Sequence, residues 1–82
     1  MKAPRDLSGR ELGRLLSRYG YQLVRQEGSH MRFSSTLRGT AHHVTIPDHD
    51  PLRLGTQQRV LADVASYLGL SRVTLIRQLF EK

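Results

Sequence analysis

Leu12, Leu15, Leu16 and Tyr19 recur at the three- and four-residue spacing that lines up one face of a helix. Just ahead of this stripe, Ser8-Gly9-Arg10-Glu11 has the form of a capping box. In such a box Ser8 accepts from the Glu11 amide and the Glu11 carboxylate accepts from the Ser8 amide. Gly20 supplies a left-handed stop, while Arg10, Arg14 and Arg18 recur every four residues on another face. The pattern predicts a first helix between Ser8 and Gly20.

The period then changes to two. Residues 21–26 are rich in strand formers and Glu27-Gly28 reads as a turn. Met31 and Phe33 alternate with His30, Arg32 and Ser34, and Val44 and Ile46 alternate with His43 and Thr45. These runs predict a meander of three antiparallel strands, with residues 34–40 as a hairpin loop and Arg38-Gly39 at its tip. If Met31, Phe33, Val44 and Ile46 pack under the first helix, the other sheet face carries His30, Arg32, His43 and Thr45. His42 then points the opposite way from His43, to the edge of the core.

Pro47 ends the third strand and residues 48–54 form a polar loop. Gly55-Thr56 precedes a helix whose stripe is Val60, Leu61, Val64, Ala65 and Leu68, with Gly69 as its stop. Ser71 caps a last short helix with Leu75, Ile76, Leu79 and Phe80 as its apolar face. The expected fold class is α+β, a two-layer α-β-β-β-α-α arrangement over residues 1–82. Its three-stranded antiparallel sheet is covered by helices on one face and open on the other.

Composition narrows the function. The chain has 82 residues, 38% of them hydrophobic, enough for one layer of helices on a sheet but not for two cores. Thirteen Lys and Arg against seven Asp and Glu give a formal net charge of +6. Most of the cations are spread from Arg5 to Arg77 rather than gathered in a tail, a field that attracts polyanions such as nucleic acid. With no cysteine, disulfides and thiolate chemistry are excluded. Residues 1–7 lack the apolar stretch of a signal peptide, and no apolar run approaches the ~18 residues of a membrane span. The expectation is a soluble, cytoplasmic protein with no membrane partner.

Chemistry concentrates at Gly28-Ser29-His30. Gly28 lets the backbone turn sharply and lets a ligand come close. Ser29 offers a hydroxyl to a phosphate, and His30 opens the second strand directly after the turn. An imidazole, with its usual pKa near ~6.5, can take or give a proton at neutral pH. Arg32, two residues on and on the same face, can grip a phosphate with its guanidinium fork or simply be a solvated surface cation. His49 can serve as a second acid/base or phosphate contact. Its neighbours Asp48 and Asp50 also suit plain Asx turns, and three consecutive loop side chains diverge too much to hold a metal. Gly55-Thr56-Gln57, with Arg53 and Arg59 nearby, can bind phosphate through free first-turn amides, or Thr56 can be an ordinary N-cap.

The order of elements resembles the HicA family of toxins from bacterial toxin–antitoxin pairs. The resemblance is carried by Gly28-Ser29-His30-Met31-Arg32-Phe33, by Val44-Thr45-Ile46-Pro47-Asp48-His49, by Leu54-Gly55-Thr56 opening a helix and by Leu68-Gly69-Leu70 closing it. It spans about residues 8–80, and its most specific pieces are the Gly-Ser-His turn and the Pro-x-His after the third strand. It implies a fold similar to double-stranded-RNA-binding domains, ribosome-independent cleavage of mRNA with no metal or other cofactor, and inhibition by a HicB-type antitoxin. The family's catalytic histidine falls on His30; Gly28, Ser29, Arg32, His49, Arg53 and Thr56 are the expected RNA contacts. Many members carry a second polar residue, often histidine, where this chain has Met31. Because strand parity puts Met31 in the core, that departure should leave the chemistry intact.

Two other readings use the same residues. Residues 62–78 also look like a helix-turn-helix, with Arg72, Thr74 and Arg77 offered to a DNA major groove. That reading leaves the Gly-Ser-His turn and the meander without a purpose. A non-catalytic double-stranded-RNA-binding module would share every feature except a working His30.

Overall fold

A computed structural model describes residues 4–81. Residues 1–3, part of the segment read above for a leader, lie outside the described residues, as does residue 82. The elements run α1 (Gly9–Leu16), a 3-10 turn (Ser17–Tyr19), β1 (Gln22–Glu27), β2 (His30–Ser35), β3 (His42–Pro47), α2 (Leu54–Leu68) and α3 (Arg72–Phe80). The fold is α+β, as the periodicities predict, with the strands in the order β1-β2-β3, antiparallel throughout.

The capping box forms. The Glu11 amide donates to the Ser8 hydroxyl at 3.1 Å, and the Glu11 carboxylate accepts from the Ser8 amide at 3.0 Å. The Ser8 amide, and then its hydroxyl, hold the Glu11 carboxyl below the usual carboxylate range. Leu12 and Leu16 from α1 are fully buried, while Leu15 and Tyr19 pack at the margin of the core. A Cβ on Gly9 would lie 1.9 Å from the Pro47 carbonyl oxygen, and one on Gly13 would lie 2.3 Å from the Phe33 ring. Only glycine at these positions lets α1 sit this close to the sheet.

Across the sheet, Met31 faces Ile46 and Phe33 faces Val44, all buried beneath the helices. Leu61, Val64 and Leu68 of α2 join them, with Leu75 and Leu79 of α3. The helical layer is locked at its far end, where the Tyr19 hydroxyl donates to Gln78 Oε1 at 2.5 Å and the Arg18 guanidinium donates to the Gln78 carbonyl.

Several boundaries differ from expectation: α1 ends at Leu16 and gives way to the 3-10 turn, Glu27 pairs with His30 in the ladder so that the turn is Gly28-Ser29, and β2 continues through Ser34 and Ser35 into the expected loop. The first strand starts at Gln22, because Tyr21 turns inward and is buried (1% exposed). All of β1 is exposed, including Leu23 and Val24. It is an outer strand, and its register slips between Leu23 and Arg25, so Val24 is an extra, bulged residue. Helix α2 begins at Leu54, so Gly55 and Thr56 lie within it rather than ahead of it. Its N-cap is Arg53, which makes no side-chain cap bond, so Thr56 lies inside the first turn and does not cap it. Leu52 fixes the start: it is buried, and its amide donates to the Leu7 carbonyl at 2.8 Å, so the helix can begin immediately afterwards. Gln57 is buried too, donating to the Pro4 carbonyl at 2.9 Å.

The end of the sheet where β2 finishes and β3 starts is closed by aromatic rings. His42 stacks on Tyr67 with ring centroids 4.7 Å apart, and Tyr21 meets both rings edge-on. The Tyr21 hydroxyl and His42 Nδ1 are 2.6 Å apart. Burial pushes the Tyr21 phenol up to about 12, so the phenol keeps its proton at neutral pH. The Tyr67 hydroxyl donates to the Thr40 carbonyl at 2.5 Å and accepts from the Arg38 amide at 2.9 Å, tying the β2–β3 loop to α2.

Candidate active site on the open sheet face

The opposite end of the sheet is built around a two-residue turn. Glu27 pairs with His30 across it, leaving Gly28 and Ser29 as the loop. Gly28 has φ +55°, and a Cβ there would meet nothing within 4 Å. The glycine therefore serves the backbone angle and not the space around it.

Three links anchor the turn. The Asp48 amide donates to the Ser29 carbonyl at 2.6 Å, and Gln26 Nε2 donates to the Gly28 carbonyl at 3.1 Å. The Arg10 guanidinium clamps the Asp48 carboxylate with Nε at 3.0 Å and Nη2 at 2.8 Å. The start of α1 is thus joined through Asp48 to the backbone beside His30. Such a bidentate pair fixes geometry as well as charge.

His30 is the first residue of the central strand, flanked in the ladder by Glu27 on β1 and Pro47 on β3. Two residues on, Arg32 is flanked by Arg25 and Thr45. Arg25, Glu27, His30, Arg32 and Thr45 together line an open hollow of about 180 Å³ on the uncovered sheet face. Arg25 forms an ion pair with Glu27, and the two side chains are 68% and 65% exposed. A pair this exposed contributes at most about 0–1 kcal/mol to stability. An accessible imidazole that shares a hollow with two guanidinium groups and a carboxylate can bind an anion and move protons beside it.

Of the expected site residues, Gly28, Ser29, His30 and Arg32 come together at the turn and the hollow. His49 follows Asp48, so its backbone lies beside the turn; its carbonyl accepts from the Gly9 amide at 2.9 Å, and the residue is exposed. Arg53 and Thr56 sit at the start of α2, and neither lines the hollow. Sequence reasoning missed Arg25, Glu27 and the Arg10–Asp48 clamp. The first two were within reach: a two-residue turn puts Glu27 opposite His30 and Arg25 opposite Arg32 by counting alone. The clamp joins residues 38 apart, and no local pattern announces it.

Among the described residues there is no group of three or more His, Cys, Asp or Glu side chains that could hold a metal ion. Nor is any described helix long and apolar enough to cross a membrane. In comparison with known proteins, the family model described as the HicA toxin of bacterial toxin–antitoxin matches residues 9–65. No curated protein and no solved structure matches.

Proposed function

The chain belongs to the HicA toxin family of bacterial toxin–antitoxin pairs, and we propose that it acts as a metal-independent endoribonuclease on mRNA. The family makes it the toxin of such a pair, with an antitoxin as its partner. In this reading the antitoxin is of the HicB type and the toxin works on messages in the cytoplasm. The observation that carries the reading is the hollow itself: His30 shares it with Arg32, Arg25 and Glu27 on the sheet face the helices leave open.

RNA brings its own nucleophile, the 2′-hydroxyl, already held next to the phosphate it attacks. The protein has to move protons and stabilise the charge that builds on phosphorus. His30 transfers a proton at the reacting linkage. Arg32, with Arg25 beside it, receives the phosphate oxygens. Gly28 and Ser29 let the RNA backbone approach the turn, and His49 contacts it from the adjoining loop. Arg53 and Thr56 take a neighbouring phosphate at the start of α2, where first-turn amides and the helix dipole favour an anion. The helix–corner–helix of α2 and α3 exposes Arg72 and Arg77, yet a DNA reader built on it gives the hollow no task.

Cleavage of a defined RNA by the purified protein tests the proposal. The expected products carry 2′,3′-cyclic phosphate and 5′-hydroxyl ends, form equally fast in excess EDTA, and are lost in His30→Ala. Products ending in 3′-hydroxyl, or activity removed by the chelator, would contradict it.

A further inference from the structure

Self-cleavage of an RNA linkage needs two proton transfers, one from the attacking 2′-hydroxyl and one to the departing 5′-oxygen. A single imidazole can assist either. The hollow holds a second group able to take a proton. Glu27 lies directly across the ladder from His30 and lines the same open face. Residues paired in this way have Cβ atoms about 5 Å apart, close enough for their side chains to flank one phosphate.

The position of this carboxylate calls for a reason. It stands on a face otherwise furnished with Arg25, Arg32 and His30, where a negative charge opposes the binding of a phosphate. The fold does not depend on it, since Glu27 is exposed and its ion-pair partner Arg25 is exposed as well. Arg25 offsets part of the repulsion and orients the carboxylate.

We infer that Glu27 and His30 divide the two proton transfers of RNA cleavage, Glu27 as general base and His30 as general acid, an assignment that rests on the ribonuclease reading above. The Glu27 carboxylate takes the proton of the 2′-hydroxyl as the 2′-oxygen bonds to phosphorus. The bond from phosphorus to the 5′-oxygen breaks, and the His30 imidazolium gives its proton to that oxygen. The products are a 2′,3′-cyclic phosphate and a 5′-hydroxyl. Glu27 is left protonated and His30 neutral, and exchange of a proton with water resets both. Arg25 and Arg32 stay charged throughout and face the phosphorane.

The test compares wild type, Glu27→Gln and His30→Ala, each checked for folding by circular dichroism. The substrates are an ordinary oligoribonucleotide and one whose cleaved linkage carries a bridging 5′-sulfur. A thiolate leaves without help from an acid, so this second substrate separates the two roles. Wild type should give a bell-shaped pH profile of kcat/KM, rising as Glu27 loses its proton and falling as His30 loses its own. Glu27→Gln should lower kcat by about 10²–10⁴ with little change in KM, lose the acid limb, and stay slow on the sulfur substrate. His30→Ala should lose the alkaline limb and recover most of its rate on the sulfur substrate. The inference is overturned if Glu27→Gln keeps the wild-type rate, keeps the acid limb, changes KM alone, or is rescued by the sulfur leaving group. If His30→Ala cleaves ordinary RNA at the wild-type rate, His30 is not the acid and the division of the two transfers is overturned; if wild type cleaves nothing, the ribonuclease reading itself fails.

Discussion

His30 and His42 each open a strand, and they occupy opposite ends of the same small sheet. His42 is held by its side chain: its Nδ1 shares a hydrogen bond with the Tyr21 hydroxyl, Tyr67 stacks on its ring, and the β2–β3 loop is fastened to the same cluster. Around His30 only the backbone is fixed, through Ser29, Gly28 and the Arg10–Asp48 clamp, while the ring faces an open hollow lined by charge. An imidazole whose hydrogen-bonding nitrogen and ring face are already engaged supports packing. One held by its backbone alone can exchange protons with a ligand. The environment, and not the residue type, separates a structural histidine from a reactive one.

The sharpest way to break this comparison is to remove each ring in turn. His30→Ala should lower the rate of RNA cleavage by about 10²–10⁴ and leave the melting temperature unchanged, as read by kinetics and calorimetry on the same preparation. His42→Ala should do the reverse. Losing one hydrogen bond, one stacked ring and the partner of a buried phenol costs about 2 kcal/mol. For a domain of this size that lowers the midpoint by about 10 °C. Activity per folded molecule should hold below the transition. A variant that exchanges these outcomes would overturn the assignment of the two ends.

Gly9→Ala probes the contact that brings α1 against the end of β3. The added carbon would collide with the Pro47 carbonyl, and the overpacking should cost about 1–3 kcal/mol in chemical denaturation. Arg10→Ala is subtler. It releases Asp48 while leaving the Asp48 amide bonded to Ser29, so cleavage should slow by about 3- to 10-fold with little loss of stability.

A last effect appears only in alkali. Tyr21 ionises at its ordinary value in the unfolded chain but only near about 12 in the folded one. The folded state therefore holds the proton more tightly. Its advantage is complete below the unfolded value and is lost as pH rises through the folded one. Stability should fall between pH ~10 and ~12 in the wild type, and Tyr21→Phe should flatten that slope in pH-dependent denaturation.

Much of this was legible from local pattern. The capping box at Ser8 and Glu11, the parity that buries Met31, Phe33, Val44 and Ile46, and the outward aim of His30 and Arg32 follow from spacings of two to four residues. Where the reading stopped, distant residues decide. Tyr21 reads as a strand residue until its partners His42 and Tyr67 draw it inward. Thr56 reads as a cap until Leu52, bonded to Leu7, starts the helix two residues earlier than Thr56. Asp48 reads as a turn former, yet its carboxylate is held by Arg10 from the first helix. Glu27 was visible in the sequence, but its place beside His30 depends on the length of the turn between them.

In the proposed reaction the RNA is cut by its own 2′-oxygen while His30 handles a proton. Its most direct test is the cleavage rate of a labelled RNA carrying a single 2′-deoxynucleotide at the position of the cut, measured beside the all-ribose strand. The substituted linkage should survive intact while the all-ribose linkage is cut; cleavage of both at the same rate would contradict the account.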